Sequence, residues 1–214
     1  MTDKYKTPEH QAVYETLRER ILLGHYGPGE PLTIQGLTRS LDAGMTPVRE
    51  AIRRLTSESA LESLGNRRVI IPKLTAEQLQ DIYFLRQFIE PELAARAAKT
   101  ITKEEISTLK SIDLAVDHAI HSGDVDSYLK YNAAFHFTIY EHAASPVLFR
   151  TIGSLWVQCG PSQRVICGRY GTSNLPDKHT ELLSALSQRD PELTAQAMRG
   201  DLQQGLDLIK QTVI

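Results

Sequence analysis

From Thr75 to the C-terminus the chain carries helix punctuation and no strand pattern, which limits its fold more than any other feature. Thr75-x-x-Gln78 and Thr102-x-x-Glu105 are capping boxes, in which paired side chains satisfy the first backbone N–H groups of a helix. After the first box, Ile82, Leu85, Ile89 and Leu93 share one face of a helix running to about Lys99. After the second come Ile106, Leu109, Ile112, Val116 and Ile120. The same periodicity predicts a third helix over 125–143 and a fourth launched by Ser145-Pro146, with Gly160-Pro161 expected to kink or break it. Residues 168–176 read as a loop, 177–188 as a fifth helix, and Asp190-Pro191-Glu192 as the start of a sixth. Six striped helices can bury their apolar faces only against one another, so residues 75–214 are expected to form an all-α bundle.

Residues 1–74 have a different texture. Val13, Leu17 and Ile21 form a helical stripe that Gly24 ends, and Gly27-Pro28-Gly29-Glu30-Pro31 is a turn. A short helix is expected over 34–41. Another follows over 48–57, with Thr46 as its N-cap and Pro47 at its first position. It would turn Ala51, Ile52 and Leu55 inward and hold Arg49 and Arg53 together on an outer face. Residues 61–64 and 69–71 read as two strands joined by Gly65-Asn66-Arg67-Arg68. Three helices and a basic-tipped hairpin are the order of a winged helix-turn-helix, so the chain is expected to be mostly α with a DNA-binding domain at 1–74.

The charge distribution agrees. Residues 1–74 hold 11 Lys and Arg against 9 Asp and Glu, whereas 75–214 hold 13 against 17. A hydrophobic content of 41% with 23% charged residues excludes disorder, and no apolar run nears the ~18 residues that span a bilayer. The N-terminus lacks a signal-peptide pattern, so a cytoplasmic protein is expected. Cys159 and Cys167 fit no metal or disulfide framework and read as reduced thiols.

One constellation in the bundle does not suit a plain core. Val125, Leu129, Asn132, His136 and Ile139 follow one helical stripe, which places an amide and an imidazole among inward positions. His179 opens the stripe His179, Leu182, Leu186, and Asp201 lies one turn after Ala197. Two imidazoles and a carboxylate from three helices are a donor set for a divalent transition metal, zinc first, nickel or iron as alternatives. A hydrogen-bonded polar core without metal uses the same residues.

The run Val13-Tyr14-Glu15-x-Leu17-Arg18-x-x-Ile21-x-x-Gly24, then Pro28-Gly29-Glu30, then Thr46-Pro47-Val48-Arg49-Glu50-Ala51-Ile52-Arg53-Arg54-Leu55 closely resembles the GntR family of bacterial transcriptional regulators. The second domain resembles the FadR-type branch with its FCD effector domain. The matching segments are Leu85-Arg86-x-x-Ile89-Glu90, Ala133-Ala134-Phe135-His136, Lys178-His179-x-x-Leu182-Leu183 and Ala197-Met198-Arg199. Six helices make it more similar to the vanillate-regulator type. The resemblance implies a homodimer, most often a repressor, that binds a palindromic operator and is released or retuned by a small metabolite, with no membrane partner.

It also implies residue roles. Arg49 matches the base-reading arginine, Thr46 and Arg53 would hold phosphates, and Gln35, Met45, Asn66, Arg67 and Arg68 complete the expected DNA surface. Gln35 and Met45 stand where many relatives carry arginine. The family's metal pattern, Asp-x-x-x-His with two later histidines, falls here on Asn132, His136, His179 and Asp201, as though the carboxylate had moved between helices. Arg86 is the expected partner of an effector carboxylate, with Asn132, His136 and His179 beside it. An ion pair between Arg86 and Glu90, one turn on, is the competing reading. Two rival functions remain: a regulator with a metal-free pocket, and an all-helical metalloenzyme, against which stands the lack of a nucleophile–base pair.

Overall fold

The computed structural model describes residues 8–64, 68–170 and 178–212. Contacts divide the chain into two compact units, residues 1–74 with 156–163, and residues 75–155 with 164–214.

In the first unit the order is α1 (Glu9–Leu22), β1 (Pro31–Thr33), α2 (Ile34–Ser40), α3 (Met45–Ser57), β2 (Glu62–Ser63) and β3 (Arg68–Ile70). The stripe Val13, Leu17 and Ile21 is buried as its spacing requires, against Leu37, Val48, Ala51 and Leu55 of the next two helices. Gly24, at φ +67°, takes the left-handed conformation that turns the chain after α1. The hairpin is part of a three-stranded sheet in the order β1-β3-β2, both pairs antiparallel. Strand β1, three residues long, is defined by the pairing of Leu32 with Val69 across the sheet and not by local pattern.

Helix α3 starts earlier than expected. Gly44 is the N-cap, so Thr46 lies inside the first turn and does not cap. Pro47 is accommodated at the third helical position, where the absent N–H had no intrahelical acceptor; the first backbone bond runs from Val48 N to Gly44 O.

The second unit contains α4 (Ala76–Thr100), α5 (Lys103–Ser122), α6 (Val125–Glu141), α8 (His179–Gln188), α9 (Pro191–Thr212) and most of α7 (Pro146–Tyr170). Both capping boxes form: Thr75 Oγ1 accepts from Gln78 N, and Thr102 Oγ1 accepts from Glu105 N. Gly123, at φ +71°, ends α5. Helix α7 continues past Gly160-Pro161 to Tyr170, so the expected break is absent there; the expected loop lies mostly outside the described residues. Leu93, Leu109, Phe135, Ile139, Leu182, Leu186 and Met198 are fully buried or nearly so. Among the described residues no helix is long and apolar enough to cross a membrane.

Candidate metal centre and nucleic-acid interface

Helix α3 buries Val48, Ala51 and Leu55 and leaves Arg49 and Arg53 exposed. The two arginines differ. Among the described residues Arg49 pairs with none, whereas Arg53 is held by Glu50 through Nε at 3.0 Å and Nη2 at 2.6 Å. Arg54 turns back onto the fold, its guanidinium 3.5 Å from the Tyr14 ring centroid and donating to Gln11 at 2.7 Å. Gln35, Thr46 and Arg68 are exposed and Met45 half-exposed. Asn66 and Arg67 lie outside the described residues.

In the helical unit, α6, α8 and α9 bring three predicted ligands together. Donor atoms of His136, His179 and Asp201 all lie within 4.8 Å of one another. The periodicity of α6 places His136 beside Phe135 and Ile139 in the interior, 2% exposed. His179 opens α8 with its ring stacked on Phe135, centroids 4.0 Å apart. Asp201 reaches both imidazoles, its Oδ2 3.3 Å from His136 Nε2 and its Oδ1 4.0 Å from His179 Nε2. Asn132, also expected there, lies half-buried on α6 one turn before His136, and its side chain hydrogen-bonds none of the described residues.

The other nitrogen of each imidazole is already engaged. His179 Nδ1 is 2.8 Å from Asp113 Oδ1 of α5, and a carboxylate can only accept, so His179 donates there. His136 Nδ1 is 3.1 Å from the Tyr140 hydroxyl. That hydroxyl donates its single proton to Glu90 Oε2, which is ion-paired through Oε1 with Arg86 Nε at 2.5 Å. Burial, reinforced by the Glu90 charge, pushes the Tyr140 phenol well above its usual range, so it stays a donor. His136 Nδ1 must therefore carry hydrogen and donate to Tyr140 Oη. With both Nδ1 atoms protonated, neutral rings direct two Nε2 lone pairs at the Asp201 carboxylate. Three donors facing one another call for a cation among them, either a proton or a metal. Burial would raise the Asp201 carboxyl; with a proton on His136 Nε2 as that cation, the His136 charge and hydrogen bond, with His179 and Arg86, outweigh it and hold the carboxyl below the ordinary carboxylate range.

Asp113, Tyr140 and Glu90 were not among the sequence-predicted site residues. Asp113 was legible in principle, since it lies four residues after Leu109 and three before Val116; it is buried where the expected stripe placed Ile112. Arg86 is 2% exposed and its guanidinium meets Glu90, as the competing reading had it.

Two family matches follow this architecture. Residues 9–71 match the bacterial regulatory proteins of the gntR family, and residues 81–204 match the FCD domain. The chain belongs to the GntR regulators with an FCD domain. The HTH-type transcriptional regulator McbR of Escherichia coli K12 is 28% identical over 203 residues, 93% of this chain and 91% of that protein. The Nta operon transcriptional regulator of Aminobacter aminovorans is 28% identical over 195 residues, 88% of this chain and 89% of its own length. The solved structure of E. coli McbR/YncC superposes with a TM-score of 0.91 at 25% identity, covering 98% of this chain and all of that one. This GntR regulator is thus a DNA-binding transcriptional regulator with a helical effector domain, and its kinship is to regulators and not to enzymes.

Proposed function

We propose that this regulator is a cytoplasmic homodimeric repressor whose operator binding is retuned by a small organic acid held at a metal ion in the helical domain. The observation that carries the metal reading is the proton inventory: Asp113 and Tyr140 take the Nδ1 hydrogens and leave two Nε2 atoms and a carboxylate aimed at one another. His136, His179 and Asp201 would be the ligands. Tetrahedral bonds of ~2.0–2.2 Å set ligand atoms roughly 3.3–3.6 Å apart, which His136 and Asp201 meet at 3.3 Å, so His179 and Asp201, at 4.0 Å, are the pair that must close. The ion supplies Lewis acidity and open positions for a ligand's oxygens. Arg86 is neutralised by Glu90, so the metal ion would supply the positive charge that attracts an anionic effector. On the DNA side, Arg49 reads a base edge from the first turn of α3, and Thr46, Arg53 and Arg68 hold phosphates, with Gln35 and Met45 altering the sequence preference.

A metal-free pocket is the second reading. The His136–Asp201 distance of 3.3 Å suits an imidazolium donating to the carboxylate, and among the described residues no buried side-chain N or O lacks a partner. One experiment separates the two. Operator fragments are selected from genomic DNA with the full-length protein, and binding is then measured with zinc, with a chelator, and with a panel of small carboxylic acids. The metal reading expects the acid response to vanish with chelator and return with zinc. A response indifferent to chelator, retained by His136→Ala, supports the metal-free pocket. Retention of no specific fragment refutes the regulator's DNA-binding role itself.

A further inference from the structure

We infer that the outward face of α4 is the seam of the homodimer, where it packs antiparallel against α4 of a second copy. The inference rests on the homodimer reading above and names the surface that makes it.

Helix α4 is amphipathic in an unusual sense. Its inner face carries Leu79, Ile82, Tyr83, Leu93 and Ala97, all buried. The opposite face carries Phe84 at 62% exposure, Leu85 at 46% and Phe88 at 67%. Single exposed apolar residues need no explanation, but three on one turn-and-a-half of helix form a patch. The two phenylalanines are one helical turn apart and meet edge to face, ring centroids 5.0 Å apart, so they form one continuous apolar surface. At ~100° per residue, Glu77, Asp81, Phe84, Leu85, Phe88, Glu92, Arg96 and Lys99 fall within about 120° of the helix circumference.

The charges on this face select the partner and its direction. The N-terminal end holds Glu77 and Asp81, whereas the C-terminal end holds Arg96 and Lys99. Glu92, between them, is compensated by Arg96 at 2.8 Å. A parallel copy would set like ends together. An antiparallel copy, with its two-fold axis at the level of Arg86, sets Phe84 against Phe88 of the partner subunit and Glu77 close to Arg96 of the partner subunit. The surface is therefore self-complementary, as an isologous contact requires. Its apolar centre and charged ends have the anatomy of a protein interface.

The test is sedimentation equilibrium of the full chain. Wild type is expected at twice the 24.0 kDa chain mass, and Phe84→Glu with Phe88→Glu at the chain mass with unchanged far-UV circular dichroism. Glu77→Lys and Arg96→Glu should each weaken association, by roughly tenfold for one lost charge pair, and the double variant should recover part of the loss. Should the phenylalanine variant misfold, Leu85→Cys with a short bis-maleimide replaces it: cross-linked dimer is expected, and none from Leu114→Cys on α5, which is equally apolar and more exposed. A dimeric wild type that stays dimeric with Glu at 84 and 88 overturns the α4 seam and leaves the homodimer reading intact. A monomeric wild type overturns both. Failure of Leu85→Cys to cross-link within a dimer also overturns the seam.

Discussion

Two arginine–glutamate pairs, each within one helical turn, show how differently the halves of this regulator use the same chemistry. Arg53 and Glu50 on α3 are 2.6 Å apart with side chains 71% and 37% exposed, and Arg86 and Glu90 on α4 are 2.5 Å apart at 3% and 0%. Water screens the first pair, so each partner can leave the other at little cost and meet a phosphate instead. The second pair has no such alternative. Removing either partner strands a buried charge, and Glu90 also receives the Tyr140 hydroxyl that sets the His136 tautomer. Exposure makes a charge available for a partner macromolecule; burial makes it part of the architecture of a site.

The largest effect should follow from breaking the buried pair. Arg86→Ala or Glu90→Ala is expected to cost about 3–5 kcal/mol of unfolding free energy in urea titrations. A loss below ~1 kcal/mol would place that pair in the same class as the surface one. Arg49→Ala should cost ~1–3 kcal/mol of operator affinity with relaxed base preference and unchanged stability, measured by fluorescence anisotropy on matched and mutated sites. Asp113→Asn should weaken zinc affinity by about 10–100-fold in competition with a chromophoric chelator, since the carboxylate fixes the proton on His179 Nδ1. Glu50→Ala should leave the urea unfolding midpoint where it is in wild type.

The pH dependence sharpens the same contrast. The folded Asp201 carboxyl lies below its unfolded value, so it contributes stability that is fully present above the ordinary carboxylate range, pH ~4, and is lost as pH falls through the folded value. Metal-free protein should therefore lose stability on acidification, and Asp201→Asn should flatten that loss. Denaturant titrations from pH 7 to pH 3 with chelator present measure it.

Much of the fold was legible because its signals are local. The capping boxes at Thr75 and Thr102, and the stripe of α1, specify helices through neighbours three or four residues away. Strand β1 was missed because its partner, β3, is more than thirty residues distant, and three residues carry too little pattern to announce a strand. Thr46 was read as a cap because Thr-Pro is a strong local signal, yet Gly44 reached the N-cap conformation first. In the site, His136, His179 and Asp201 stand out as polar residues at apolar positions. The roles of Asp113, Tyr140 and Glu90 come from helices α5, α6 and α4 meeting at those imidazoles, and periodicity within one helix does not report which helices meet. Asn132 shares their stripe on α6, yet its side chain makes no hydrogen bond to any of the three.

The central claim is that Asp113 and Tyr140 hold both imidazoles with Nδ1 protonated and Nε2 presented to a metal. Long-range proton–nitrogen correlation spectra of histidine-labelled protein, at pH 7 and through a zinc titration, read this directly. The account predicts for His136 and His179 protonated Nδ1 and unprotonated, pyridine-type Nε2 resonances, with the Nε2 signals moving to metal-bound values at one equivalent of zinc per chain. An Nε2-protonated imidazolium at His136 that ignores millimolar zinc would contradict it.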